Sequence, residues 1–545
     1  MWIIRIAWYR TFQFVFNYGA RVLRWRKAQR VEGPGSINKI PDLCKQRSII
    51  KPMVVTDPGL MKAGVAVRIL DVLEQAGIPY SIYSEVEPNP SVNTVNAIQA
   101  KYINEGCHGL IAIGGGSAMD AAKGAGARIA FPGRSVKSMS GLLRVWRKIP
   151  PLIAVPTTSG TGSETTIAAL ITDTETHHKF AIMDLHLIPL YAILDPELTV
   201  GLPPHITAAT GMDALTHAVE AYLCWTYSTK ESTRFAEEAV SLIFRHLERA
   251  YKDGGDIEAR LQMQRASYLA GFAFTRAGVG NIHAVAHTLG GLYNVPHGLA
   301  NAVILPIVLE DYGPRVYKKL ARLAEIAGTD KGSTEEEKAK AFIGEIRDMN
   351  ARMGIGTAFD CILDKDIEQM ISWASKETNP LYPVPVLYNR ARYRKVIGQI
   401  RIPDTMRITK DCVGCTACAI LCPVKAISGT KGELHVIDSR RCVKCGVCGR
   451  ICLSNAIVDR DGVHLERMQR SHWPKPVINE EICSACGICI TLCTPGTLRI
   501  EAPKEKGDIQ VSAELFDPKK CIGCGICAEN CPIGAITMSY KKGDA

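Results

Sequence analysis

Gly109-Leu-Ile-Ala-Ile-Gly114-Gly-Gly-Ser-Ala-Met-Asp120 passes from an apolar run through three glycines into a stretch of helical character. The run from Gly109 to Ile113 reads as a buried strand, and the turn Gly114–Gly115–Gly116 as its exit into a helix. Backbone N–H groups in such a turn, with the helix N-terminus, can cradle a pyrophosphate. The spacing is not G-x-G-x-x-G, so alone it is equally an ordinary tight strand–helix connection.

The same pattern extends on both sides. Met53, Val54 and Val55 form a short apolar strand ending in Thr56–Asp57–Pro58–Gly59, and a helical stretch from Val65 to Ala76 follows. Further strands are expected around Tyr80 to Tyr83 and over Leu152 to Val155, the latter ending in Pro156–Thr157–Thr158. Strands alternating with helices argue a parallel sheet with crossover connections. After Pro203 the strand signals fade, and residues 206–375 read as mostly helix. Pro380, Pro383, Pro385 and Pro403 mark the approach to a different body.

That second body announces itself by cysteine. Sixteen of the twenty cysteines lie between Cys412 and Cys531, while Cys44, Cys107, Cys224 and Cys361 are scattered. Disulfides concentrate in small secreted domains, so closely spaced thiols in a chain of 545 residues suggest metal and a reducing cytoplasm. The spacing C-x2-C-x2-C-x3-C occurs four times: Cys412, Cys415, Cys418, Cys422; Cys442, Cys445, Cys448, Cys452; Cys483, Cys486, Cys489, Cys493; and Cys521, Cys524, Cys527, Cys531. Three close thiolates wrap one iron–sulfur cube, and the fourth ligates the neighbouring cube of a pair. Paired in sequence, Cys452 would complete the first set and Cys422 the second, Cys531 the third and Cys493 the fourth. Zinc knuckles, usually paired C-x2-C units, do not explain four such repeats. Gly446, Gly487 and Gly525 sit where the backbone must approach the cluster. The second motif lacks a proline after its last cysteine, and the third places Thr494 before Pro495. The region of about residues 405–540 resembles tandem bacterial 2[4Fe–4S] ferredoxins, which implies four clusters and single-electron transfer.

In the helical half, Asp213 and His217 are four residues apart, as are His283 and His287, and His297 follows in Val295-Pro-His-Gly. On a helix each pair shares one face. One carboxylate and several imidazoles suit a first-row divalent ion with an open position, although any one of these histidines alone would be unremarkable. Four blocks in order carry a resemblance: Gly114 to Lys123, Pro156-Thr-Thr-Ser-Gly-Thr-Gly-Ser-Glu164, Gly211-Met-Asp-Ala-Leu-Thr-His-Ala-Val-Glu220, and His283 to His297. Residues 30–400 resemble the iron-dependent (group III) alcohol dehydrogenases.

This resemblance implies an α/β dinucleotide-binding domain followed by an all-α metal-binding domain, an arrangement of the dehydroquinate synthase-like type. It implies Asp213, His217, His283 and His297 as metal ligands and His287 as a proton-handling residue beside the nicotinamide. Gly115, Gly116, Ser117, Thr157 and Thr158 would contact the dinucleotide, within a cradle running from Gly114 to Asp120. Asp57 would bond the adenosine ribose, and its charge favours NAD over NADP. Iron(II) is the implied metal, with zinc equally suited to the ligand types.

The first thirty residues stand apart. Ile4, Trp8, Phe12, Val15 and Val22 recur at helical spacing, Arg10, Gln13, Asn17, Arg21, Arg24 and Lys27 follow the opposite stripe, and no acidic residue precedes Glu32. The helix is too interrupted to span a bilayer and too polar for a signal peptide. Its apolar stripe is expected to dock on the body or on a second subunit, with contact of residues 1–27 with a membrane surface as the alternative.

The expected organisation is a basic helix (1–30), an α/β NAD-binding domain (31–205), an α-helical metal domain (206–400) and two ferredoxin modules (401–470 and 471–545). A net charge of +11 fits an acidic partner or membrane surface, and no nucleic-acid motif accompanies it. Nicotinamide moves two electrons and a cluster one, and no flavin motif is visible. The expected activity is therefore NAD-linked alcohol oxidation or aldehyde reduction in a homo-oligomer. The tail would dock it to a flavoprotein or a ferredoxin-dependent oxidoreductase, in an anaerobic cytoplasm. The rival expectation is an electron-transfer subunit whose dehydrogenase half is a scaffold, against which the intact ligand set speaks.

Overall fold

The computed structural model describes residues 2–23, 25–174, 179–402, 405–439, 441–460, 462–501 and 511–540; Arg24 and Pro403 lie outside them. The chain forms two compact units, Met1–Arg401 and Ile402–Ala545.

In the first unit six parallel strands form one sheet in the order Gln29–Glu32, Tyr191–Leu194, Leu152–Pro156, Gly109–Gly114, Pro52–Val55, Ser81–Tyr83. The four inner strands are buried on both faces, which is why they read as continuous apolar runs. The helix Val65–Gln75 packs on one face through Ile69 and Leu73. The helices Val92–Asn104 and Gly116–Ala130 cover the other through Ile98, Ala121 and Ala125. The strand order reverses between Gly109–Gly114 and Pro52–Val55. In open α/β sheets ligands bind in the crevice at the carboxyl ends of the strands at such a point.

No sequence signal announces the excursion that leaves this sheet after Leu152–Pro156. Ala168–Thr172 and Lys179–Met183 pair antiparallel, and Gly141–Leu142 adds in parallel to the second of these. From Pro204 the chain is helical, around the largest core of the molecule. The helix Pro204–Leu223 is buried along most of its length. A Cβ on Gly298 would lie 2.2 Å from the Ala209 carbonyl oxygen, so glycine after His297 lets the helix His297–Tyr312 approach it.

The helix Trp2–Val22 reverses one expectation. Its buried residues are Gln13 and Asn17, the polar stripe. Gln13 Nε2 donates to the carbonyls of Pro380 (3.0 Å) and Tyr382 (2.7 Å), Asn17 Nδ2 to that of Thr226 (2.8 Å), and Arg10 to those of Val384 (2.8 Å) and Pro385 (3.2 Å). Side-chain amides and a guanidinium bring the donors that these loop carbonyls require. Most of the apolar stripe consequently faces outward, with Ile4 73%, Trp8 56%, Val15 63% and Val22 78% exposed, while Phe12 is half-buried and Phe16, off the stripe, packs on Tyr227.

The second unit contains two similar modules. In one, Arg407–Ile408 pairs antiparallel with Ile457–Val458, and Ile427–Ser428 with Val436–Ile437. In the other, Lys475–Ile478 pairs with Ile536–Ser539, and Leu498–Ile500 with Ala513–Leu515. Short helices such as Ala417–Leu421 and Val447–Ile451 follow the first cysteines of each motif.

Candidate active site and cluster sites

The metal candidates come from three helices. Asp213 and His217 project from Pro204–Leu223, His283 from Asn281–Tyr293, and His297 opens His297–Tyr312. One ligand atom from each of Asp213, His217, His283 and His297 lies within 4.8 Å of the others. Asp213, His217 and His283 are buried, and His297 is partly exposed. Burial holds all three imidazoles below their ordinary pKa, His283 well below and His297 at about 4, so they are neutral with lone pairs available to a cation. Asn301 Nδ2 lies 2.7 Å from Asp213 Oδ1 and 3.2 Å from Nε2 of both His283 and His297, so the ligand atoms converge. His217 stacks on Phe274, with ring centroids 4.1 Å apart, and its Nδ1 is buried without a hydrogen-bond partner. Three neutral imidazoles and a carboxylate, gathered in a mostly buried site, fit a divalent first-row metal.

Behind the ligands stands Glu220, to which the spacing argument gave no role. It accepts from His283 Nδ1 at 2.6 Å and from the backbone N–H groups of Gly280 and Ile282, each at 2.8 Å. This bond fixes the His283 tautomer and turns Nε2 toward the other ligands. Burial still pushes the Glu220 carboxyl up to about 8.

His287 is set apart from the ligand cluster. Its ring lies 5.1 Å from that of His297, and its Nδ1 is 2.6 Å from Glu377 Oε1, which also accepts from the Tyr382 hydroxyl at 2.8 Å. Burial pulls the imidazole down, but the Glu377 carboxylate, by charge and hydrogen bond, outweighs it and leaves the pKa raised. Glu377 lies ninety residues from His287 with no spacing signature, so no motif could reveal it.

The candidate nucleotide contacts gather at the carboxyl ends of the strands. Gly114 has φ 151°, and a Cβ there would lie 2.7 Å from that of Ala118. Gly115 caps the helix Gly116–Ala130, and a Cβ on it would sit 3.3 Å from Thr158 Oγ1. The Thr157 N–H donates to the Gly114 carbonyl at 3.1 Å, tying the two loops together. Asp57 caps the next helix by accepting from the Leu60 N–H at 3.0 Å. A pyrophosphate fits such a glycine turn at a helix N-terminus. Ser117 Oγ accepts from the Asn89 N–H at 3.3 Å, and Lys179 Nζ donates to Asn89 Oδ1 at 2.8 Å. Lys179 thus joins the nucleotide loops, and its charge is felt by His287. Asp120 narrows the expected cradle. Its oxygens accept from Ser163 Oγ (2.9 Å) and the Leu170 N–H (3.1 Å), so it braces the loop from within.

In the second unit Cys412, Cys415, Cys418 and Cys452 line one cavity, and Cys422, Cys442, Cys445 and Cys448 another. Cys493 lies near Cys524 and Cys527, and one apolar core gathers Cys483, Cys489, Cys493, Cys527 and Cys531. The last cysteine of every motif accepts from the N–H four residues on, at 3.2–3.3 Å. Burial raises the thiol of Cys418 to about 11 and those of Cys448 and Cys527 to about 12. Such thiols become thiolates only against positive charge, which suits cationic iron.

Contacts among the described residues join the modules. Arg450 Nη2 donates to the carbonyls of Cys445 (2.6 Å) and Gly523 (3.0 Å), and Thr494 Oγ1 to that of Pro423 (3.1 Å). Val447, Trp473 and Ile522 form an apolar cluster against Cys445 and Cys524.

An iron-containing alcohol dehydrogenase model matches residues 28–196, and the C-terminal model of the Fe-containing alcohol dehydrogenase family matches residues 207–391. A 4Fe-4S binding domain matches residues 514–537, which hold the fourth motif. Alcohol dehydrogenase 4 of Schizosaccharomyces pombe is 37% identical over 360 residues, covering 64% of this chain and 83% of that protein. The crystal structure of a 1,3-propanediol oxidoreductase superposes with a TM-score of 0.67 at 35% identity, covering 69% of this chain and all of the other. A sulfoacetaldehyde reductase from Bifidobacterium kashiwanohense, solved in complex with NAD+, gives 0.62 at 27% identity, covering 69% and 99% of the two chains.

Proposed function

The chain belongs to the iron-containing alcohol dehydrogenase family, and from that premise we propose that it moves hydride between NAD(H) and a small alcohol or aldehyde, while a tail of four [4Fe–4S] clusters exchanges single electrons with a protein partner. The convergence of Asp213, His217, His283 and His297 beside His287 carries the first half. A divalent iron ion held there, with zinc as the alternative, supplies Lewis acidity at the substrate oxygen, and the nicotinamide supplies or accepts the hydride.

The residues of the chain do the rest. Glu220 holds His283 in its ligating tautomer. Glu377 does the same for His287, engaging Nδ1 and leaving Nε2 to take or give the substrate proton. The glycine turn from Gly114 and the Thr157–Thr158 loop set the dinucleotide in place, which makes hydride transfer effectively intramolecular. Aldehyde reduction by NADH is the proposed direction.

For the tail, the cavities lined by the crossed cysteine sets support two clusters in the first module, and the repeat supports two in the second. Clusters of this type transfer one electron at a time. The contacts at Arg450, Thr494 and Trp473 support a single relay. Cys442, Cys445, Cys448 and Cys422 would hold one cluster and Cys521, Cys524, Cys527 and Cys493 another, and the residues beside these two sets touch, which would suit electron exchange between them. The partner is a flavoprotein or a ferredoxin-dependent oxidoreductase, because two-electron and one-electron carriers need a splitter between them. Iron and acid-labile sulfide in anaerobically reconstituted full-length protein test the cluster count. About sixteen sulfides per chain are expected; about eight would leave one module unloaded and sink the four-cluster reading.

A further inference from the structure

We propose that the helix Trp2–Val22 docks the enzyme on an anionic phospholipid surface, lying in the headgroup plane with its apolar stripe toward the acyl chains. The inner face of this helix is already spoken for by the carbonyl bonds of Arg10, Gln13 and Asn17 and by Phe16 packed on Tyr227. Its outer face carries Ile4, Trp8, Val15, Tyr18 and Val22, spaced three or four residues apart except for one seven-residue step over Thr11, so one stripe runs the length of the helix. Ile3 and Phe14 widen it, at 81% and 65% exposure. An apolar stripe of this length, held outward by polar contacts on its inner side, is the reverse of a helix made to cover its own core.

Charge selects the occupant. The first thirty-one residues hold seven cations and no acid; Arg10 is turned inward, Arg26 bonds the Ile188 carbonyl, and Lys27 and Arg30 pair with Glu231 and Glu32, so the charge offered outward by the helix rests on Arg5 and Arg21. Arg5 and Arg21 are exposed near the two ends of the helix. A basic helix with Trp and Tyr among its outward residues matches the headgroup region of an anionic leaflet. A second copy matches it poorly, because two such helices face to face would set arginine near arginine with no carboxylate on either. Spanning is not an option, since among the described residues no helix is long and apolar enough to cross a membrane. Because the helix is already folded and anchored, binding needs no ordering of the segment.

The test is flotation of the full-length protein with phosphatidylcholine vesicles and with vesicles that also contain phosphatidylglycerol. Wild type is expected to float with the anionic vesicles and to lose binding by about tenfold or more on adding salt or in neutral vesicles. The double variant Trp8→Glu, Val15→Glu should lose binding to a similar degree while keeping NADH-dependent aldehyde reduction, which shows that it is folded. Arg5→Glu with Arg21→Glu keeps the apolar stripe and should lose only the preference for anionic lipid. Absence of wild-type binding, or equal binding by the first variant, overturns the proposal. So does a wild-type dimer that ignores vesicles and dissociates in the first variant, which would assign the face to a second copy.

Discussion

Gln13 donates to the backbone carbonyl of Tyr382 at 2.7 Å, while the Tyr382 hydroxyl donates to Glu377 at 2.8 Å and Glu377 pairs with His287 at 2.6 Å. The N-terminal helix thus holds the segment that buttresses His287, the residue proposed to handle the substrate proton. Gln13→Ala should leave the Pro380 carbonyl without its donor and take one of two donors from the Tyr382 carbonyl, which keeps the Val384 N–H at 2.9 Å, costing about 1–3 kcal/mol of stability. Turnover should fall a few-fold with the metal content unchanged, as read by denaturant melts, kinetics and elemental analysis.

Glu377→Gln removes the charge that raises the His287 pKa against the pull of burial. The apparent pKa assigned to His287 in the pH–rate profile should move to lower pH, and kcat/KM should fall about tenfold or more. A profile that does not move would separate His287 from proton transfer.

Glu220→Gln replaces an acceptor of three hydrogen bonds by a group that must present one N–H to donors at Gly280, Ile282 and His283. Metal affinity is expected to drop about 10–100-fold, measured by chelator competition. The nucleotide affinity should stay as it is.

Arg450→Met takes a buried cation from between Cys445 and Gly523. A nearby positive charge favours the reduced cluster, so its loss should lower the potentials of the clusters held by Cys445 and Cys524 by tens of millivolts. Any cluster bound by the other cysteine sets should hold its potential, and an EPR-monitored titration resolves the difference.

Thr416 occupies the position taken by Gly446, Gly487 and Gly525 in the other motifs, with φ 65° beside their 71°, 74° and 77°. A β-branched residue is strained there, so Thr416→Gly should stabilise the first module by up to about 1 kcal/mol. Thermal melts of the holoprotein read this out.

Much of this architecture is legible in the residues because it rests on short-range periodicity. The i, i+4 pairs Asp213–His217 and His283–His287 fix helix faces, and the apolar runs ending in Asp57, Gly114 and Thr157 fix the strands and their carboxyl ends. What escapes is set by long-range packing. Glu377 and Lys179 meet His287 and Asn89 from distant elements, and nothing in their neighbours marks them. The N-terminal helix is legible as a helix, but its orientation is not. Amphipathicity assumes an apolar face turned inward, and here the carbonyls of residues 380–385 draw the polar face in. The role of Thr494 is equally hidden, since its bond to Pro423 exists only once two modules meet.

The most direct test is anaerobic addition of NADH to reconstituted full-length protein, with and without an aldehyde, while visible absorbance and EPR follow the clusters. A hydride-transferring dehydrogenase whose tail serves an external partner will consume NADH only when aldehyde is present, and its clusters will stay oxidised throughout. Cluster reduction by NADH alone would contradict this, because it would place an electron splitter inside the chain and make its two halves one internally wired enzyme.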